Sequence, residues 1–189
     1  YPNTDADPGK RSNLASITNA LGHITRITGY NAHGQPLSLI DPNGVITTLT
    51  SDARLRLTSR NVGGDASTGI TGETTSYSYD GVGQLTRVTL PDGSYLDYSY
   101  DAAHRLTRVS DSLGNQIAYT LDAMGNRLKE DLLDPAGALA QTRSRVYDSL
   151  NRLSRDIGAQ NQTTQYAYDP QGNLTRVTYP GGTFRSYQY

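Results

Sequence analysis

Hydrophobic and polar positions in this chain fall into short runs, each stopped by a turn signal. Leu85-Thr86-Arg87-Val88-Thr89 and Tyr95-Leu96-Asp97-Tyr98-Ser99-Tyr100 are typical: Thr, Val, Ile, Leu and Tyr dominate, and no helical period occurs. Such runs predict antiparallel strands of about five to seven residues. One turn signal is Asp-x-x-Gly, from Asp80 to Gly83, Asp122 to Gly125 and Asp169 to Gly172, with Leu55, His104 and Asn151 in the Gly place elsewhere. The other is Asp41-Pro42-Asn43-Gly44, Pro91-Asp92-Gly93, Ser112-Leu113-Gly114 or Pro180-Gly181-Gly182. Asn-Gly and Asp-Gly are strong hairpin signals because Gly accepts positive φ.

The runs recur at a fixed step. Asp80 to Asp101, Asp101 to Asp122, Asp148 to Asp169 and Asn31 to Asp52 are each 21 residues, whereas Asp52 to Asp80 is 28 and Asp122 to Asp148 is 26. A period of this size marks a repeat array. Residues 1–30 form a degenerate partial repeat, with a turn expected at Asp7-Pro8-Gly9-Lys10 and half a unit over Leu14–Gly22. Residues 31–189 form the array, with insertions at 61–75 and 133–142 that lengthen hairpins at the second turn. Tyr189 lies 21 residues after Tyr168, so the next Asp is expected just beyond it and the chain reads as a piece of a longer array. Units with Pro36-Leu37 and Arg127-Leu128 delay their Leu by one residue, which makes a second flavour; Pro36 has no ladder donor, so its strand begins or bulges there.

A two-residue turn at Asp92-Gly93 would pair Pro91 with Ser94 and put Leu85, Arg87, Leu96, Tyr98 and Tyr100 on one face. The opposite face would then carry Thr86, Val88, Leu90, Tyr95, Asp97 and Ser99. Round the next turn, Tyr100 would neighbour Leu106 and Tyr98 would neighbour Arg108. Arg87, Arg108 and Arg176 are expected over Tyr rings, at roughly 0.5 to 1 kcal/mol each. A three-residue turn would swap the faces. A single hairpin is marginal, so stability has to come from neighbours. The expected fold is all-β, a repetitive antiparallel hairpin strip advancing roughly 10 Å per unit, with edges open to pairing.

Composition fits a sheet with a wet face: 35% of residues are hydrophobic, with 14 Tyr, one Phe and no Trp, and mean hydropathy is −0.59. Net charge is −1 with no basic block, which argues against direct nucleic-acid binding. Zero Cys excludes disulfides and thiolate metal sites, and no apolar run approaches a membrane span.

The stretches Tyr77-Ser78-Tyr79-Asp80 through Gly93, Tyr98-Ser99-Tyr100-Asp101 and Tyr166-Ala167-Tyr168-Asp169-Pro170-Gln171-Gly172-Asn173-Leu174 resemble the YD repeats of the Rhs family. Departures are Asn31 for Asp, Leu55 for Gly, Ser51 and Leu121 for the second Tyr, and the two insertions. The resemblance implies a β-shell like those of toxin-complex and teneurin proteins, spiralling into a hollow cocoon. It implies flanking repeats as partners, an enclosed C-terminal toxic domain, and N-terminal delivery modules of the kind that dock on a type VI secretion spike. It further implies a secreted or delivered effector, or a cell-surface protein, with any enzymatic activity in a domain outside this stretch. The residues expected to build the repeat are Tyr77, Tyr79, Asp80, Gly83, Leu85, Gly93, Tyr98, Tyr100, Asp101, Leu106, Asp122, Gly125, Asp148, Tyr166, Tyr168, Asp169, Gly172 and Leu174.

Other chemistry is weakly signalled. Asp134-Pro135-Ala136-Gly137 is superficially similar to the family's aspartyl self-cleavage segment, yet it sits inside a hairpin with repeats after it, and a plain turn is the favoured reading. His23, His33 and His104 lack zinc spacing, and the Asp turns lack the oxygen density of a calcium loop. No cofactor is expected, and no nucleophile or nucleotide motif occurs. The Tyr rows leave a second function class open, adhesion or carbohydrate binding by stacking, against the reading that they are ladder packing.

Overall fold

The structure, a computed structural model, describes residues 12–65 and 67–189. The expected turn at Asp7–Lys10 lies outside the described residues. Two compact units are present, Tyr1–Tyr95 and Leu96–Tyr189. Among the described residues there are sixteen strands and no α-helix. They are β1 (Ser16–Thr18), β2 (Ile24–Tyr30), β3 (Pro36–Ile40), β4 (Ile46–Ser51), β5 (Leu57–Val62), β6 (Glu73–Tyr79), β7 (Leu85–Thr89) and β8 (Tyr95–Tyr100). There follow β9 (Leu106–Asp111), β10 (Gln116–Leu121), β11 (Arg127–Leu133), β12 (Leu139–Tyr147), β13 (Leu153–Ile157), β14 (Thr163–Tyr168), β15 (Leu174–Thr178) and β16 (Phe184–Ser186). Within each unit strands pair antiparallel with their neighbours in the chain, as in β6 with β7 and β14 with β15. The all-β hairpin repeat expected from the turn spacing is therefore the fold.

The turns close through three residues, not two. At the second turn Leu90 N–H donates to the Ser94 carbonyl at 2.8 Å and Gly93 N–H to the Leu90 carbonyl at 3.0 Å, with Gly93 at φ 85°. Leu90, not Pro91, thus faces Ser94. The first turn has the same form: Asp101 N–H donates to the Arg105 carbonyl at 3.0 Å and His104 N–H to the Asp101 carbonyl at 2.9 Å. This is a type I turn followed by a left-handed residue, the commonest three-residue hairpin.

A second departure follows just after the first turn. Tyr100 faces Leu106 as expected, but Ser99 faces Arg108 and Tyr98 faces Val109, because the register shifts by one residue at Thr107. The same bulge follows Leu57, Leu85, Leu153 and Leu174. It keeps Leu106 and Val109 on one face although they are three apart, and it sends Arg108 to the other. The bulged hydroxyl closes the gap: Thr58, Thr107 and Thr175 donate to the carbonyls of Thr50, Ser99 and Ala167 at 3.1, 3.2 and 3.1 Å. In the second flavour Leu37 and Leu128 take the bulged place, and Pro36 both begins β3 and adjoins the bulge.

One face therefore carries Tyr98, Val109, Ile117 and Leu132 in sequence across β8 to β11, and Tyr166 with Val177 across β14 and β15. The other carries Ser99, Arg108, Ala118 and Asp131. Arg87 lies over Tyr95 at 4.0 Å from the ring centroid, and Arg176 over the Phe184 ring at 3.8 Å rather than over a Tyr. Arg176 faces Ser186, so the ring sits two residues back on the neighbouring strand. Arg108 faces Ala118, and the corresponding place holds Gln116, which has no ring to offer.

The insertions are accommodated differently. The first is a loop between Val62 and Glu73 that closes on the Asp65–Ile70 bridge. The second mostly lengthens strands, since β11 and β12 run on to an ordinary turn in which Asp134 N–H donates to the Ala138 carbonyl at 2.9 Å. That tip leans on the preceding hairpin: a Cβ added at Gly114 would sit 3.2 Å from Pro135. The interior is minimal. Among the described residues only Ile27 (3% exposed) and Val177 (7%) are buried hydrophobic side chains.

Leu55 holds the left-handed turn position at φ 65° and is exposed. That conformation costs a Cβ-bearing residue roughly 1 to 2 kcal/mol. Leu55→Gly is therefore expected to raise unfolding stability by about 0.5 to 1 kcal/mol once the extra chain entropy of Gly is offset, read as a higher urea midpoint. Gly93→Val is expected to lower it.

Candidate functional site

From Asp52 onward each first turn is built on one carboxylate, and the Asn31 turn on an amide oxygen that accepts from His33 and Gln35 N–H. Asp101 Oδ1 accepts the N–H of Ala103 at 2.9 Å and of Arg105 at 3.0 Å. Asp122 does the same with Met124 and Asn126, Asp148 with Leu150 and Arg152, and Asp80 with Val82, Gly83 and Gln84. Asp169 accepts from Asn173 N–H at 2.8 Å. A short acceptor that folds back on its own backbone favours such turns. Gly83, Gly125 and Gly172 occupy the left-handed place that follows. Asp134 makes the same two bonds, to Ala136 and Ala138, so the Asp-Pro segment is an ordinary member of this turn class.

The tyrosines join each hairpin to its neighbours. Tyr77, Tyr98 and Tyr166 face Val88, Val109 and Val177, while Tyr79, Tyr100 and Tyr168 face Leu85, Leu106 and Leu174. The Tyr79 hydroxyl reaches back to donate to the Leu57 carbonyl at 2.8 Å, and Tyr168 donates to Leu153 at 2.9 Å. Arg56 and Arg152 each lie 4.6 Å from the centroids of these same rings. A ring pinned at its hydroxyl and covered on one side by a guanidinium ties one hairpin to the next.

Sequence reasoning missed Arg56, Arg105 and Arg152. Each donates from Nε to the carboxylate four residues earlier, Asp52, Asp101 or Asp148, at 2.8 Å, and from Nη1 to a backbone carbonyl of the next turn. The available signal was the recurrent Asp-x-x-x-Arg spacing. The guanidinium hydrogen bond, with the backbone N–H bonds, holds Asp52 and Asp101 below the ordinary carboxylate value of 3.8. Asp148 is lowered first by the Arg152 backbone N–H and then by its side chain. Asp111, Asp122 and Asp169 are lowered chiefly by the amides of Asn115, Asn126 and Asn173.

On the Tyr-bearing face of the second unit a cavity of about 390 Å³ lies between the long hairpin and its predecessor, lined by Leu96, Val109, Ile117, Leu132, Leu133 and Ala140 among others. The three histidines are exposed at turns. Among the described residues no three His, Asp or Glu side chains converge.

These features define a repetitive antiparallel hairpin sheet whose recurrent residues serve turns and inter-hairpin ladders. The RHS Repeat family matches residues 52–95, 79–116, 100–139 and 147–183, more than half of the chain. The chain belongs to that family. Among solved structures it resembles TcdB2-TccC3, at 21% identity and TM-score 0.69 over 85% of this chain and 10% of that one. It also resembles the Photorhabdus luminescens Tc holotoxin pore with a substituted TccC3, at 21% identity and TM-score 0.72 over 87% of this chain and 9% of that one. A TcdB2-TccC3 structure without its hypervariable C-terminal region matches at 21% identity and TM-score 0.69, again over 87% and 9%. The chain thus spans about a tenth of the length of these structures. No curated protein is significantly similar to it.

Two outcomes are expected. Carboxyls whose folded pKa is depressed contribute stability that is complete above the unfolded value and is lost as pH falls through the folded one. The urea midpoint should therefore be flat from pH 7 to 5 and fall below pH 4, less steeply in an Arg56→Gln, Arg105→Gln, Arg152→Gln triple variant. Tyr79→Phe, which leaves the Leu57 carbonyl without its partner, should cost about 1 kcal/mol, whereas Tyr77→Phe should be near neutral in the same titration.

Proposed function

We propose that this stretch is wall: a segment of an Rhs shell that encloses and delivers a C-terminal toxic domain. The observation that carries the reading is the scarcity of any interior. With two buried hydrophobic side chains among the described residues, and strand contacts running only between chain neighbours within each unit, the chain is built to continue sideways into further repeats rather than to close on a core. The apolar cavity and the exposed Leu96 and Leu132 add a face suited to covering another polypeptide. The hypervariable C-terminal region of one solved relative supports a variable cargo beyond the repeats. Delivery modules ahead of the repeats, such as those that dock on a type VI secretion spike, complete the reading, with any catalysis in the cargo.

Limited proteolysis of the full-length protein that contains this stretch tests it. The C-terminal domain is expected to resist protease while the repeats are folded and to be digested once they are opened in urea. Free digestion of that domain in the native protein would sink encapsulation, and specific binding of the repeats to a glycan array would favour adhesion instead.

A further inference from the structure

The first turns come in two chemical classes, and the classes alternate without exception along the array. Gly34-Gln35, Gly83-Gln84, Gly125-Asn126 and Gly172-Asn173 are of one class, a glycine followed by an amide. Leu55-Arg56, His104-Arg105 and Asn151-Arg152 are of the other, a residue with a Cβ followed by arginine, and one falls between each consecutive pair of the first. The backbone is the same in both, since Leu55, His104 and Asn151 take φ of 65°, 63° and 65°. The difference lies in what each turn gives to the next.

An arginine turn reaches forward with its guanidinium. Arg105 Nη1 donates to the Asp122 carbonyl at 2.6 Å, Arg152 Nη1 to Asp169 at 3.2 Å and Arg56 Nη1 to Asp80 at 3.3 Å. The arm lies over the left-handed residue of the receiving turn: a Cβ on Gly83 would be 3.6 Å from Arg56 Nη1, and one on Gly125 3.9 Å from Arg105 Cδ. An amide turn reaches forward a shorter way, to the left-handed residue itself. Gln35 Nε2 donates to the Leu55 carbonyl at 2.8 Å, and Asn126 Nδ2 to the Asn151 Oδ1. Asn151 can accept there because it is not glycine.

We infer that the turn edge is a pairing surface with a defined partner, so that each unit fits beside a unit of the opposite class and the true building block of the wall is a pair of units. Two arginine turns in succession place one guanidinium against the Cβ-bearing residue and the guanidinium of the next. Two amide turns in succession put a glycine where Asn151 now offers Asn126 its side-chain oxygen, and leave no guanidinium arm to reach the turn that follows. The partner that fits beside the Asp169–Asn173 turn is accordingly a hairpin of the arginine class.

The rule is tested by deletion in this chain. Removing residues 148–168, one unit, joins Tyr147 to Asp169 and sets the amide turns of Asp122 and Asp169 side by side. Removing residues 122–168, two units, joins Leu121 to Asp169 and sets the arginine turn of Asp101 beside the amide turn of Asp169. The larger deletion is expected to keep a cooperative urea transition near the parent midpoint. The smaller one should lower the midpoint and speed hydrogen exchange of the turn amides at Met124 and Asn126 at least tenfold. Adding Gly172→Asn and Asn173→Arg to the smaller deletion restores alternation, and should recover both readouts. A one-unit deletion as stable as the two-unit deletion, loss of the cooperative transition in the two-unit deletion, or failure of the two substitutions to restore the midpoint would each overturn the inference.

Discussion

The structure depends on a backbone position that most side chains resist. Every first turn needs one residue in the left-handed region, at Gly83, Gly125 or Gly172 and equally at Leu55, His104 or Asn151. Asp three residues earlier makes this tolerable by accepting the N–H groups two and four residues after itself, which a tight turn would leave unpaired. Once the turn is a fixed object, the strands that leave it have fixed register, and Tyr meets Leu across the ladder at Tyr79–Leu85, Tyr100–Leu106, Tyr147–Leu153 and Tyr168–Leu174. Register is otherwise weakly specified in a sheet with so little buried surface.

The bulge after the first Leu of most units solves a conflict in the sequence itself. A strand with period two cannot put Leu106 and Val109 on one face, nor Leu174 and Val177. One extra residue, Thr107 or Thr175, removes the conflict, and its hydroxyl bonds to the carbonyl of Ser99 or Ala167 across the ladder. Because the same bulge recurs, its local twist is added once per unit instead of at a single corner.

Much of this was legible beforehand, and what was not has a physical reason. The 21-residue step, the strands and both turns per unit follow from spacing and from Asp and Gly, whose preferences are local. The pairing of Tyr100 with Leu106 was also legible, although two readings behind it changed. The second turn has three residues where Asp92-Gly93 suggested two, and Thr107 is an extra residue; the first moves the ladder and the second moves Arg108 to the opposite face. Turn length is ambiguous for Pro-Asp-Gly, since the same residues serve a two-residue turn and a type I turn with a left-handed third residue. The arginine clamps were invisible for a different cause: Asp52 to Arg56 is a helical spacing, and only a turn that brings residues four apart to the same edge makes it a contact in an all-β chain.

Conventional signs of a site point elsewhere in such a molecule. Depressed carboxyls and aromatic rows are features by which active sites are often recognised, yet here the carboxyls are lowered by the bonds that close their own turns. Tyr79 and Tyr168, for their part, are fixed at the hydroxyl by the carbonyls of Leu57 and Leu153. Their repetition is the deciding fact. A catalytic constellation needs to occur once, whereas a joint has to occur wherever two hairpins meet, and Asp, Gly, Tyr and Leu return at nearly every meeting. The chemistry of these residues is consumed in joining each hairpin to the next, and their recurrence is structural.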